Sequence, residues 1–226
     1  LIIGLKYFQL KGEVITTPFS FPATAHSIEW NNLKPIFADV EQETGNLCPE
    51  SVERLITKKT SAILAVHNFG LPFQVENLSK LAAAYNLPLI YDAAPAFGVN
   101  YKEESIFSLG DLSVVSFHAT KILTTFEGGA IFLKTKIEKN KVDLLKNFSI
   151  KNTEEVSGSG INGKMSEISA AFGLAQFPYL SEIISKRKKV YDLYSTSLRN
   201  NVGLRLIDIP EDTEYNYSYY PIYILD

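Results

Sequence analysis

The chain has 226 residues, with 22 Lys and Arg against 25 Asp and Glu, and 46% of it is hydrophobic. That length implies one large domain, or one domain and part of another, with a core that needs no disulfides. The slight acidity argues against a general nucleic-acid binder, and no apolar run approaches the roughly 18 residues that span a bilayer.

The opening Leu-Ile-Ile-Gly-Leu carries neither a start residue nor the features of a secretory signal. Apolar, β-rich runs then alternate with helical patterns. A strand is predicted over 13–17, ended by Pro18, and another over 35–40. A helix over 49–56 has Pro49 in its first turn and two Glu suited to a helix N-terminus. The run 62–66 reads as a strand broken by His67-Asn68-Phe69-Gly70. Leu78, Leu81 and Ala82 share one face of a helix over 76–85. A strand over 87–91 runs into Asp92, and one over 112–117 runs into His118-Ala119-Thr120-Lys121. A last strand, 130–133, follows Gly128-Gly129. Continuous apolar strands alternating with helices predict an α/β fold with a largely parallel sheet buried on both faces.

After Gly163 the pattern changes to two long helices, 164–176 and 179–199, separated by Pro178. From Val202 a Tyr-rich β segment begins, and Tyr219 to Asp226 stops within what reads as a strand. The expectation is a large domain over 1–200 and the truncated start of a second over 201–226, in a fragment cut at both ends. The basic run Lys186-Arg187-Lys188-Lys189 lies within a helix and reads as a solvated face. The glycosylation triplets at Asn77, Asn147 and Asn216 read as chance matches. The single cysteine, Cys48, rules out an intrachain disulfide framework and a Cys-rich zinc site. It fits a reducing, cytoplasmic location, and no metal is expected.

In open α/β sheets, ligands bind beyond the carboxyl ends of the strands. Three such ends carry polar groups: His67-Asn68, Asp92, and Ser116 through Lys121. An acid past one strand and a lysine past another is what a pyridoxal phosphate (PLP) site needs. The lysine forms a Schiff base, and the carboxylate keeps the pyridine nitrogen protonated so that the ring accepts electrons. Each residue also has a plainer reading. Lys121 would be a solvated loop lysine, Asp92 a helix cap, Ser116 a small filler and Phe21 core. Spacing alone leaves both readings open.

Several ordered motifs decide between them. These are Thr17-Pro18-Phe19-Ser20-Phe21-Pro22-Ala23-Thr24-Ala25, Val66-His67-Asn68-Phe69-Gly70 and Asp92-Ala93-Ala94-Pro95-Ala96-Phe97-Gly98. Ser116-Phe117-His118-Ala119-Thr120-Lys121, Glu127-Gly128-Gly129-Ala130 and Gly160-Ile161-Asn162-Gly163-Lys164-Met165-Ser166-Glu167-Ile168 follow. In order and spacing they closely resemble the DegT/DnrJ/StrS family of PLP-dependent sugar aminotransferases, from about Gly12 to about Leu180.

The resemblance implies a fold-type-I PLP transferase: a mostly parallel large domain followed by a small C-terminal α+β domain. It implies that Lys121 binds the cofactor covalently and then moves the proton. Asp92 would pair with the pyridine nitrogen, Ser116 would bind the phosphate and Phe21 would stack on the ring. Asn162 would reach the phosphate of a neighbouring subunit, in a homodimer whose sites are shared across the interface. His118 would be structural. His67 and Lys164 are candidate substrate contacts. The implied reaction moves an amine from glutamate to a nucleotide-linked 4-keto-6-deoxy sugar, for O-antigen or other surface-glycan synthesis. A 3-keto sugar, or a PLP-fold binding or regulatory protein without turnover, are the alternatives. Pro95 departs from the Gln or His usual at its position, and proline has no side chain to hold the ring hydroxyl. The family's phosphate-binding Gly-Thr segment would precede Leu1.

Overall fold

The structure, a computed structural model, describes residues 1–225; Asp226, last in the expected second domain, lies outside the described residues. In chain order it runs α1 (Ile2–Tyr7), β1 (Glu13–Thr16), α2 (Ala23–Glu29), β2 (Lys34–Phe37), α3 (Pro49–Leu55) and β3 (Thr60–Val66). Then come α4 (Val75–Ala84), β4 (Leu89–Asp92), β5 (Asn100–Tyr101), β6 (Glu104–Ser105), β7 (Leu112–Ser116) and β8 (Gly129–Phe132). Helices α5 (Lys136–Leu145), α6 (Glu167–Gln176) and α7 (Leu180–Leu198) precede β9 (Leu204–Leu206), β10 (Thr213–Glu214) and β11 (Ile222–Ile224).

The main sheet has the order β2-β1-β3-β4-β7-β8. Its first five strands are parallel, and β8 runs antiparallel to β7. Successive side chains of a strand point to opposite faces. Ile63 and Ala65 of β3 therefore pack with Val52 of α3 and with Leu78 and Ala82 of α4. Ala62 and Leu64 pack on the other face with Leu5 of α1 and Ile28 of α2. Both faces are covered, which is why the strand reads as continuously apolar. A third cluster lies beyond the carboxyl ends of β3 and β4. There Leu71, Ala93, Ala96, Val99 and Ile106 meet Ile207 and Tyr215 from the C-terminal segment.

Several boundaries differ from expectation for local reasons. The fourth strand begins at Leu89 because Pro88 has no N–H to give a neighbouring strand. The second ends at Phe37; Asp39 N turns instead to Ser51 Oγ at 2.9 Å. Helix α6 begins at Glu167 because the Ser166 hydroxyl accepts from Ser169 N at 3.1 Å and caps it. Pro178 sits in a single 3₁₀ turn, Phe177–Tyr179, that joins α6 to α7 without a loop. Helices α1, α2 and α5 were not expected at all.

The Tyr-rich segment forms two small sheets, β9 with β11, and β10 with β5 and β6. The basic run on α7 is a paired surface: Lys186 meets Glu182 and Lys188 meets Asp192, both at 2.6 Å. Among the described residues no helix is long and apolar enough to cross a membrane. No cluster of three or more His, Cys, Asp or Glu able to hold a metal occurs among them.

Candidate active site

Asp92 is the last residue of β4, level with Val66 of β3 and Val114 of β7. It follows Ile90 by two residues, so its carboxylate leaves the sheet on the face that carries α1 and α2. It is 6% exposed. Two donors hold it. Thr24 of α2 donates from Oγ1 to Oδ2 at 2.7 Å, and Ala94 N donates to Oδ1 at 3.2 Å. No helix follows Asp92, so the helix-cap reading falls.

Ser116 ends β7 two residues beyond Val114, on the same face. Adjacent strands lie about 4.8 Å apart and two residues advance about 6.6 Å, so Ser116 stands about 8 Å diagonally from Asp92. Its Oγ accepts from His118 N at 3.2 Å. A serine hydroxyl has one hydrogen and two lone pairs. Using a lone pair on the backbone leaves the hydrogen to give to an anion.

Lys121 lies in the connection 117–128 between β7 and β8. That connection is pinned shut: Phe117 N donates to Gly128 O and Thr125 N to Phe117 O, both at 2.9 Å. The buried side chains of Ile122 and Leu123 anchor the residues after Lys121. Lys121 N donates to His118 O at 2.9 Å, closing a turn next to Ser116. The lysine is half-buried, unlike a plain solvated one, and forms no ion pair among the described residues. Gly129 is needed because a Cβ there would lie 2.6 Å from Val115 O, too close for β8 to pair with β7. His118 is exposed, with Nδ1 3.0 Å from Thr120 Oγ1 and Nε2 3.6 Å from Glu127 Oε1. It shapes the turn that carries Lys121.

Phe21 lies just before α2 and is 80% exposed, so it is not core. Asn162 is exposed, and its backbone bridges Asn147. Lys164 is exposed and bonds Asn147 Oδ1 at 2.5 Å over the Phe148 ring. Asn162 and Lys164 both meet Asn147, just past the end of α5.

His67 needs a correction. It follows β3 near the site, but it is 1% exposed and stacks on Tyr91 with ring centroids 4.2 Å apart. Tyr91 points away from Asp92, into the core between β4 and α4. Burial pushes the His67 imidazole down to about 3. A substrate at the strand ends does not reach this ring. What His67 gives the site is its backbone: its N–H donates to Asp92 O at 3.0 Å.

Three residues escaped the sequence reading of the site. Thr24 lay inside a quoted motif, but only the fold brings it to Asp92. Tyr215 and Asn216 lie more than a hundred residues from the loops they hold. Asn216 is fully buried, which agrees with reading its glycosylation triplet as chance. A cavity of about 760 Å³ opens elsewhere, near Leu87, Asp111 and Lys134 at the amino ends of the strands.

Comparison with known proteins agrees with this fold. The model of the DegT/DnrJ/EryC1/StrS aminotransferase family matches residues 1–226. A dTDP-4-amino-4,6-dideoxy-D-glucose transaminase of Shigella dysenteriae is 44% identical over 225 residues, 99% of this chain and 61% of the relative. One of Escherichia coli is 45% identical over 231 residues, 100% of this chain and 61% of the relative. The solved structure of DesI in the presence of its TDP-sugar product superposes with a TM-score of 0.91 at 35% identity. That match covers 99% of this chain and 58% of DesI. The chain thus spans about three-fifths of the length of these relatives. The family that the motifs resemble is the chain's own: it belongs to the DegT/DnrJ/EryC1/StrS aminotransferase family.

Proposed function

We propose that the protein is a PLP-dependent aminotransferase that moves an amine from glutamate to a nucleotide-linked 4-keto-6-deoxy sugar. One observation carries this reading. A buried carboxylate and a hydroxyl stand at neighbouring strand ends on one face, and a lysine with no ion pair among the described residues lies in the loop that follows the hydroxyl.

The donor set fits the cofactor. Asp92 offers a held anion for a pyridinium nitrogen, and Ser116 offers a free O–H for a phosphate. Phe21 offers an uncovered aromatic face. When bound, PLP supplies an electron sink that stabilises negative charge on the carbon losing its proton. Lys121 anchors the cofactor through Nζ. Once released, the same Nζ is the base that lifts a proton from the amino donor and returns it. Asp92 keeps positive charge favourable opposite its carboxylate. The pinned connection 117–128 holds the lysine in reach with little freedom to lose.

The sugar assignment draws on the relatives named as dTDP-4-amino-4,6-dideoxy-D-glucose transaminases and on one named GDP-perosamine synthase. A place in O-antigen or related glycan synthesis, and in the cytoplasm, follows from the same reading. Residues from 201 onward open a small second domain. A homodimer is part of the proposal, with Asn162 reaching a second copy's cofactor. Exposed Phe126, Ile161, Ile168 and Phe172 give that contact an apolar strip.

The test is an absorbance scan of the full-length protein with PLP, then borohydride reduction and peptide mapping. A visible band and an adduct on Lys121 are expected, and glutamate should then discharge the band. A folded protein with no band, or an adduct elsewhere, overturns the assignment.

A further inference from the structure

We infer that Thr24 is a positioning residue for Asp92: its hydroxyl fixes the plane of the carboxylate that faces the pyridine nitrogen. The inference rests on the cofactor reading above and deepens it.

Thr24 is the second residue of α2, so no carbonyl of the helix stands three or four residues before it for its hydroxyl to bond. Its Oγ1 crosses instead to Asp92 Oδ2 at 2.7 Å, the shorter of the two contacts to that carboxylate. The side chain is fully buried, so water does not compete for the bond. Its branched Cβ restricts χ1 and keeps the hydroxyl aimed. The helix beneath it is fixed too: Ile28 is locked in the core, and Ser27 Oγ closes on Thr24 O at 2.7 Å. Thr24 and Ala94 take one carboxylate oxygen each. Two donors on two different oxygens set the carboxylate's rotation, which a single donor would leave loose. A carboxylate has about four lone-pair sites, so a third donor is still accommodated. A pyridinium N–H is that donor in the proposed function.

The test compares full-length wild type, Thr24→Val and Thr24→Ser. Valine keeps the branched shape and removes the hydroxyl; serine keeps the hydroxyl. We expect Thr24→Val to bind PLP about tenfold more weakly, the scale of one charge-assisted hydrogen bond. The pH midpoint of its visible band should move, and Thr24→Ser should restore both properties. A crystal structure of the cofactor-free Thr24→Val protein should show the Asp92 carboxylate rotated. If Thr24→Val does not fold, Thr24→Ala replaces it with less bulk. Wild-type affinity and midpoint in the valine variant overturn the inference, as does a serine variant that behaves like valine. Absence of a band in the wild type would instead overturn the cofactor reading, and this inference with it.

Discussion

Asn216 holds the loop that follows Asp92. Its Nδ2 donates to Pro95 O and to Phe97 O, each at 2.8 Å, and its Oδ1 accepts from Ser218 N at 3.0 Å. Its neighbour Tyr215 donates to Phe69 O at 2.6 Å, in the loop after β3. Two consecutive residues near the C-terminus therefore clamp the two central loops of the candidate site. At Gly70 those loops are close enough that a Cβ would sit 3.0 Å from Pro95 O, and its φ of +82° suits glycine.

Replacing Asn216 with alanine should leave two part-buried carbonyls without a donor and a gap where a fully buried side chain stood. That costs about 2–4 kcal/mol. In a chain of this size each kcal/mol moves Tm by about 2–4 °C, so a fall of about 5–15 °C is expected by calorimetry. A melting temperature equal to that of wild type would show that the loops stand without the clamp.

His67 predicts a pH dependence of stability. Its ring is buried neutral, with its pKa pushed down to about 3 in the folded chain against about 6.5 when unfolded. Below pH 6.5 the unfolded chain takes a proton that the folded chain refuses. The unfolded state therefore binds more protons, and stability falls as pH drops from about 6.5 toward 3, by up to about 1.4 kcal/mol per unit. His67→Gln should flatten this slope. Urea midpoints at pH 7, 6 and 5 measure it, and equal slopes in the two proteins would mean that the ring is protonated in place.

The central strands β3 and β4 were legible because they are buried on both faces and so read as unbroken apolar runs. Ile63 to Val66 is the plainest case. Helix α5 was not read, although Thr135 and Glu138 form a capping box, because its surface is charged and Val142 is its one fully buried residue. Helix α2 follows Pro22, which offers no side-chain cap, so nothing local marks it. The same gap hid Thr24, whose partner lies 68 residues away. His67 misled for the opposite reason. A polar residue at a strand end reads as a site residue, and only the packing of Tyr91 beside it shows that the ring turns inward.

Ser116 should prove separable from the fold. Its hydroxyl accepts one backbone bond at a half-buried position, so Ser116→Ala is expected to cost at most about 1 kcal/mol of stability. A hydrogen bond to a charged group is worth about 1.5–3 kcal/mol, so PLP affinity should fall about 10- to 100-fold. Titration of cofactor-free protein by absorbance checks this. Unchanged affinity would remove Ser116 from the phosphate site.

Ile168 tests the proposed assembly. It is 81% exposed on α6, one turn before Phe172, whose ring lies 4.3 Å from that of Phe126. Phe126 in turn belongs to the connection that carries Lys121. An apolar strip this uncovered is costly in water, and burying one isoleucine against a second copy contributes about 1.5–3 kcal/mol. Ile168→Asp would place a charge in that contact. By sedimentation the dimer should dissociate at concentrations where wild type remains associated, while circular dichroism stays that of a folded chain. PLP affinity should fall with it, because in the proposed dimer Asn162 would reach a second copy's cofactor. A monomeric variant that keeps full affinity would leave the dimer standing but take Asn162 out of the site; a variant that stays dimeric would move the interface off α6.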